Sequence, residues 1–218
     1  LIMSYRNSVR RAAALCLFIV LLGGGGSLPA AETGPQKTIL VVGDSISAAY
    51  GMSLEEGWVA LLARQLQESH PDYGVVNASI SGETSAGAAA RLPRLLEHHK
   101  PAVVVIELGG NDGLRGYPVK KMRDNLRSMI EQSTAAEARV LLLGMEIPPN
   151  YGSRYTAQFR ESFALVASET DSQLVDFMLD GIATNPELMQ GDGIHPKPAA
   201  QPMLLANVWP SLEALLVN

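Results

Sequence analysis

Cysteine is nearly absent from the sequence. The single one, Cys16, lies in a leading segment with the marks of an export signal, so the body of the chain has no disulfide, no thiol nucleophile and no cysteine-ligated metal. Aromatic residues are 6% of the 218 residues, thin material for the exposed aromatic platforms that a carbohydrate enzyme wants. Basic residues are in deficit, with 17 Lys and Arg against 22 Asp and Glu for a formal net charge of −5, and no basic cluster lies beyond the N-terminus. Nucleic-acid binders usually carry a basic face, so no nucleic-acid partner is expected. No Gly-x-Gly-x-x-Gly or P-loop pattern occurs, which removes the usual phosphate cradles. The apolar run of residues 12–22 is too short to span a bilayer comfortably.

What is present begins with that leader. Arg6, Arg10 and Arg11 make a positive start, Ala12 to Leu22 an apolar stretch, and Ser27-Leu28-Pro29-Ala30-Ala31 a small-residue cleavage site. Residues 1–31 are therefore expected to be a signal peptide, with Met3 as the true start and an N-terminal anchor as the alternative. A lipoprotein site fails because Leu15 stands before Cys16, where a small residue is needed. Cleavage removes three arginines and no acid, leaving an acidic protein expected in the periplasm or outside a bacterial cell. Residues 32–37 are a linker, and 38–218 suffice for one domain with one core.

Beyond the linker, apolar runs alternate with stretches of helical period, the pattern of β/α units around a parallel sheet. Strands are expected near residues 38–43, 74–78, 102–108, 139–145 and 173–176. Helix faces are expected at Trp58, Leu61, Leu62 and Leu66, at Met122, Leu126, Met129 and Ile130, and at Tyr155, Phe159, Phe163 and Val166. The last helix would present Met203, Leu204, Val208, Leu212 and Leu215, with a bend possible at Pro210. Three polar, glycine-bearing loops follow the first three strands: Gly43-Asp44-Ser45, Asn77-Ala78-Ser79-Ile80-Ser81-Gly82 and Gly109-Gly110-Asn111-Asp112. In a parallel sheet these converge at one rim.

Ser45 is the candidate nucleophile, delivered at the carboxyl end of a β-branched run; the same residues would also suit a cap for a helix opening there. A serine needs a base, and the base an orienter. Among four histidines, His98 and His99 end a helix beside Lys100-Pro101 and His70 precedes Pro71 in a turn, all three positions of ordinary solvated residues. His195 closes Gly191-Asp192-Gly193-Ile194-His195-Pro196, a loop tight enough for Asp192 to accept the Nδ1 proton and leave Nε2 for the serine. The alternative is a Pro-flanked surface turn. Candidate oxyanion donors are the N–H groups of Ser45 and Gly82 and the Asn111 amide, although Gly82 and Asn111-Asp112-Gly113 also carry plain turn signals.

In order and spacing, Gly43-Asp44-Ser45, Ser81-Gly82-Glu83-Thr84, Gly109-Gly110-Asn111-Asp112 and Asp192-Gly193-Ile194-His195-Pro196 resemble the four blocks of the SGNH (GDSL-type) hydrolases. The similarity runs from Thr38 to the last helix. It is greatest to exported bacterial multifunctional enzymes of the acyl-CoA thioesterase I, lysophospholipase or arylesterase kind, through Val76 to Gly82, Glu107 to Gly116 and Pro149-Asn150-Tyr151-Gly152. The resemblance implies a flavodoxin-like three-layer α/β/α fold with a mostly parallel five-stranded sheet. It implies Ser45 as nucleophile, His195 as base, Asp192 as orienter, and Ser45, Gly82 and Asn111 as oxyanion hole. It implies no metal or organic cofactor, and acyl ester or thioester substrates held in a groove near Leu114, Tyr117, Glu146, Ile147, Tyr151 and Ile194. Residues 113–117 would be a mobile segment beside that groove. Glu146 departs from the basic or neutral residue usual there, which bears on acyl-chain and head-group preference. A monomer with at most transient lipid contact is expected. The alternatives are a carbohydrate acetyl esterase of the same fold and a non-catalytic binding domain. Ser47 stands where a Gly-x-Ser-x-Gly elbow would need glycine, which separates this serine from the α/β-hydrolase frame.

Overall fold

Runs of Val, Ile and Leu suit an extended backbone buried on both faces, and they form the strands of the computed structural model, which describes residues 36–217. The expected signal peptide and all of the linker except Gln36 and Lys37 lie outside the described residues. The strands are β1 (Lys37–Gly43), β2 (Tyr73–Asn77), β3 (Val103–Glu107), β4 (Arg139–Leu143) and β5 (Gln173–Val175). They pair in the order β2-β1-β3-β4-β5, every pair parallel, so the flavodoxin-like expectation holds and the sheet is wholly parallel. The order reverses beside β1, which opens a crevice at the strands' carboxyl ends. The β1–β3 register places Gly43 opposite Glu107.

The helices are α1 (Trp58–Ser69), α2 (Ser85–His99), α3 (Gly110–Leu114), α4 (Val119–Ala135), α5 (Ser153–Thr170) and α6 (Gln201–Leu216). Right-handed crossovers send α1 to one face of the sheet and α2, α4 and α5 to the other; α1 packs with α6, and α4 lies between α2 and α5. Trp58, Leu62, Leu66, Met122, Leu126, Met129, Phe159, Phe163 and Val166 are buried as their spacing requires. Among the described residues no helix is long and apolar enough to cross a membrane.

Two expectations are corrected. Ser45 does not open a helix: residues 45–50 form turns, Ala49 takes a left-handed φ of 57°, and the first α-helix starts only at Trp58. On α6 the buried face is Gln201, Leu204, Leu205, Val208, Leu212 and Leu216, while Met203 is 42% exposed. Leu204, Val208 and Leu212 are buried as expected and Met203 is not; the polar Gln201 joins the face, and its Oε1 accepts the Trp58 N–H at 2.9 Å, supplying an acceptor at the start of α1. The helix continues through Pro210.

This phase makes a contrast that urea denaturation can read. Leu204→Ala is expected to lose about 2–5 kcal/mol with an unchanged m-value, whereas Met203→Ala stays within about 0.5 kcal/mol of the parent. Equal losses would restore the original helix face.

Candidate active site

Ser45 follows the end of β1, nearly buried, and its Oγ lies 2.8 Å from His195 Nε2. His195 Nδ1 lies 2.6 Å from Asp192 Oδ2. Asp192 Oδ1 accepts the N–H groups of Ile194 (2.9 Å) and His195 (3.0 Å), so the carboxylate organises its own loop. Burial would raise Asp192, but the His195 hydrogen bond and the two N–H donors outweigh it and hold the group at about 2. An ionised Asp192 can only accept, so Nδ1 carries the proton and the Nε2 lone pair faces the serine hydroxyl. The loop closes through a bridge between Met189 and Pro196 and a 2.7 Å bond from Gln190 N–H to the His195 carbonyl. The other histidines are not brought here: His98 and His99 end α2, and His70 follows α1.

Beneath the serine loop lies a group without an assigned role in the sequence. Glu107, 0% exposed, accepts at Oε2 from Asp44 N–H (3.1 Å), Ser47 N–H (3.3 Å) and Ser47 Oγ–H (2.8 Å), while its Oε1 has no partner. Burial pushes its carboxyl well above the usual carboxylate range, and the charge of Asp44 pushes the same way. Burial raises Asp44 as well, but less strongly. Asp44 is also buried; its Oδ1 accepts the Ile46 N–H (3.1 Å) and its Oδ2 the Asn111 amide (3.0 Å). The signal that could have found Glu107 is an acid ending an otherwise apolar strand.

The three expected oxyanion donors come from loops that cross-brace one another. Among the described residues, neither the Ser45 nor the Gly82 backbone N–H has an acceptor, and an amide bonded once to Asp44 keeps a second hydrogen free. Arg115 Nη2 donates to the Gly82 carbonyl (3.0 Å) and to Asn111 Oδ1 (3.4 Å). Asp112 accepts the N–H (2.9 Å) and the hydroxyl (2.5 Å) of Ser85, tying the start of α2 to α3. Gly109 enters α3 at φ 112°, and a β-carbon there would meet Met122 and Phe163 at 3.1 Å, so only glycine brings Asn111 in by this route.

A groove of about 510 Å³ opens beside Ser45. Leu114, Met145, Ile147, Leu179, Met189 and Ile194 line it, with the exposed Glu146 among them. Tyr117 and Tyr151, expected in that lining, are not part of it. Tyr117 packs half-buried against the core, and Tyr151 turns its hydroxyl to the Leu114 carbonyl (3.0 Å). Tyr155, which carried only a helix-face reading, donates to the Tyr117 carbonyl at 2.8 Å, so two tyrosines fasten residues 113–117. Among the described residues no cluster of three or more His, Cys, Asp or Glu side chains could hold a metal.

A parallel α/β sheet whose carboxyl rim joins a buried serine, a histidine and an aspartate beside an apolar groove is the build of a hydrolytic enzyme. The chain belongs to the GDSL-like lipase/acylhydrolase family, whose profile matches residues 41–201. It is 53% identical over 201 residues to esterase TesA of Pseudomonas aeruginosa, covering 92% of this chain and 96% of that protein. It is 41% identical over 210 residues to thioesterase 1/protease 1/lysophospholipase L1 of Escherichia coli K12, covering 96% of each. The crystal structure of the psychrotrophic esterase EstA from Pseudoalteromonas sp., inhibited by monoethylphosphonate, superposes with a TM-score of 0.79 at 47% identity, covering 84% of this chain and all of that one.

The buried carboxyl makes stability depend on pH. Glu107 binds its proton more tightly folded than unfolded, where the value is near 4.5, so stability falls as pH rises from there toward the raised folded value. Glu107→Gln keeps an acceptor and cannot ionise. Its stability relative to the parent, from urea denaturation at pH 5 and pH 8, is expected to be greater at the higher pH; parallel pH curves would show Glu107 ionised in the fold.

Proposed function

We propose that the protein is a serine ester hydrolase that cleaves carboxylic esters and thioesters through an acyl-enzyme. The observation that carries this reading is the continuous chain from Ser45 Oγ to His195 Nε2 (2.8 Å) and from His195 Nδ1 to Asp192 (2.6 Å). Ser45 attacks the substrate carbonyl as His195 takes its proton, and Asp192 keeps the imidazole in the accepting tautomer and favours the imidazolium. Charge on the carbonyl oxygen is met by the Ser45 N–H, the Gly82 N–H and the free hydrogen of the Asn111 amide. His195 then gives its proton to the leaving alkoxide or thiolate, and a water repeats the sequence against the acyl-enzyme. Every step uses side chains or backbone of this chain, with no cofactor.

The groove supports the substrate class. Away from the reacting groups its walls are mainly apolar side chains, with Glu146 and Thr184 the polar exceptions, which suits an acyl chain better than a polysaccharide and favours the acyl reading over a carbohydrate acetyl esterase. Aryl esters, acyl-CoA-type thioesters and lysophospholipids fall within that class, in keeping with the names of the relatives. Residues 1–31 support export to the periplasm or beyond, so we place the enzyme outside the cytoplasm, acting on small-molecule or lipid esters as a monomer.

Ser45→Ala is expected to lower p-nitrophenyl butyrate turnover by about a thousandfold or more, and Asn111→Ala by about a hundred- to a thousandfold, both with an unchanged far-UV spectrum. Wild-type turnover in Ser45→Ala would overturn the mechanism. Exhaustive chelation should leave the rate unaltered, and activity lost to chelator and restored by added metal would point to other chemistry.

A further inference from the structure

Tyr50 touches both halves of the site and belongs to neither hydrogen-bonded chain. The residue is 50% exposed, yet its ring lies against the His195 imidazole with centroids 4.4 Å apart and planes tilted by 36°. Its backbone is gripped from two sides. The Tyr50 N–H donates to the Ser45 carbonyl at 3.0 Å, and the Tyr50 carbonyl accepts from Gln190 Nε2 at 2.8 Å, which also donates to the Pro196 carbonyl at 3.1 Å. Gly51 follows, and a β-carbon there would lie 2.5 Å from Gln190 Oε1, so glycine is what lets the glutamine reach this backbone. Among the described residues the Tyr50 hydroxyl has no partner. A half-exposed aromatic is thus fixed between the serine loop and the histidine loop, with its ring as the part that makes the contact.

The geometry points to Tyr50 as a positioning residue for His195: its ring holds the imidazole so that Nε2 stays on Ser45, and its π face favours the imidazolium formed as the serine gives up its proton. This inference rests on His195 being the base. Charge appears on His195 in the transition states of acylation and deacylation and is absent from the resting enzyme, so the ring raises kcat without tightening substrate binding. The hydroxyl takes no part.

The test compares Tyr50→Phe, Tyr50→Leu and Tyr50→Ala with the parent, Ser45→Ala and His195→Ala, measuring kcat and KM separately on p-nitrophenyl butyrate. Tyr50→Phe should stay within about twofold of the parent. Leu, which fills space without a π face, and Ala should lower kcat by about 3- to 30-fold with KM within about twofold. In NMR spectra the ring-current displacement of the His195 ring protons should survive in Phe and vanish in Leu, confirming the contact in each folded variant. A Leu variant as active as Phe, or a loss carried by KM, overturns the inference. If Ser45→Ala and His195→Ala are inactive while Tyr50→Leu and Tyr50→Ala keep the parent's kcat, Tyr50 alone is misassigned; if Ser45→Ala or His195→Ala stays active, the proposed mechanism fails and this inference with it.

Discussion

The carboxyl of Glu107 sits without solvent under the loop that carries Ser45, and the shape of that loop follows from it. One oxygen gathers Asp44 N–H, Ser47 N–H and the Ser47 hydroxyl, which bends the chain leaving β1 into a turn around a single acceptor. The parallel register sets this up by placing Gly43 opposite Glu107, and a β-carbon at Gly43 would lie 2.7 Å from Glu107 Oε2. Burying a carboxyl whose other oxygen is unpartnered is costly. The cost is borne at the point where a serine has to be presented to another loop at hydrogen-bond distance.

From that turn the bracing spreads outward. Asp44, held by its N–H on Glu107, extends a carboxylate oxygen to the Asn111 amide, and Arg115 links Asn111 to Gly82. On the opposite side, Asp192 folds its own loop and aims His195 back at the serine. Donors fixed in this way need no reorganisation when charge develops, which is the condition under which an oxyanion hole is most effective. The buried acid, the loop carboxylate and the imidazole thus form one framework reaching from the centre of the sheet to its rim.

What could be read from the sequence was what is local. Strands buried on both faces write themselves as Val/Ile runs, and the spacing of Asp192 and His195 fits within one tight loop, so the sheet and the joining of Ser45 to that loop were legible. Glu107 was not, because its meaning depends on which strand lies beside it. On α6 Leu204, Val208 and Leu212 are buried as their spacing required, while Met203 is exposed and the polar Gln201, which acts on α1, takes a place in the buried face. Ser45 was read as suiting a helix start, but the run of turns after it includes Ala49 at a left-handed φ of 57°, which no spacing of apolar residues announces. Tyr50 gave no signal at all: it lies 145 positions from His195, and only the fold brings the two rings together. The groove was half legible, since Leu114, Ile147 and Ile194 line it as expected while Tyr117 packs against the core and Tyr151 bonds the Leu114 carbonyl instead.

The central claim is that Ser45 Oγ is the atom that receives the acyl group. A p-nitrophenyl alkylphosphonate, incubated with the whole protein and followed by intact and peptide mass spectrometry, addresses it directly. The account predicts one phosphonyl group per chain, carried on Ser45, with p-nitrophenol released in equal amount and activity lost in step. Labelling on a different residue, or full activity after stoichiometric labelling, would contradict it.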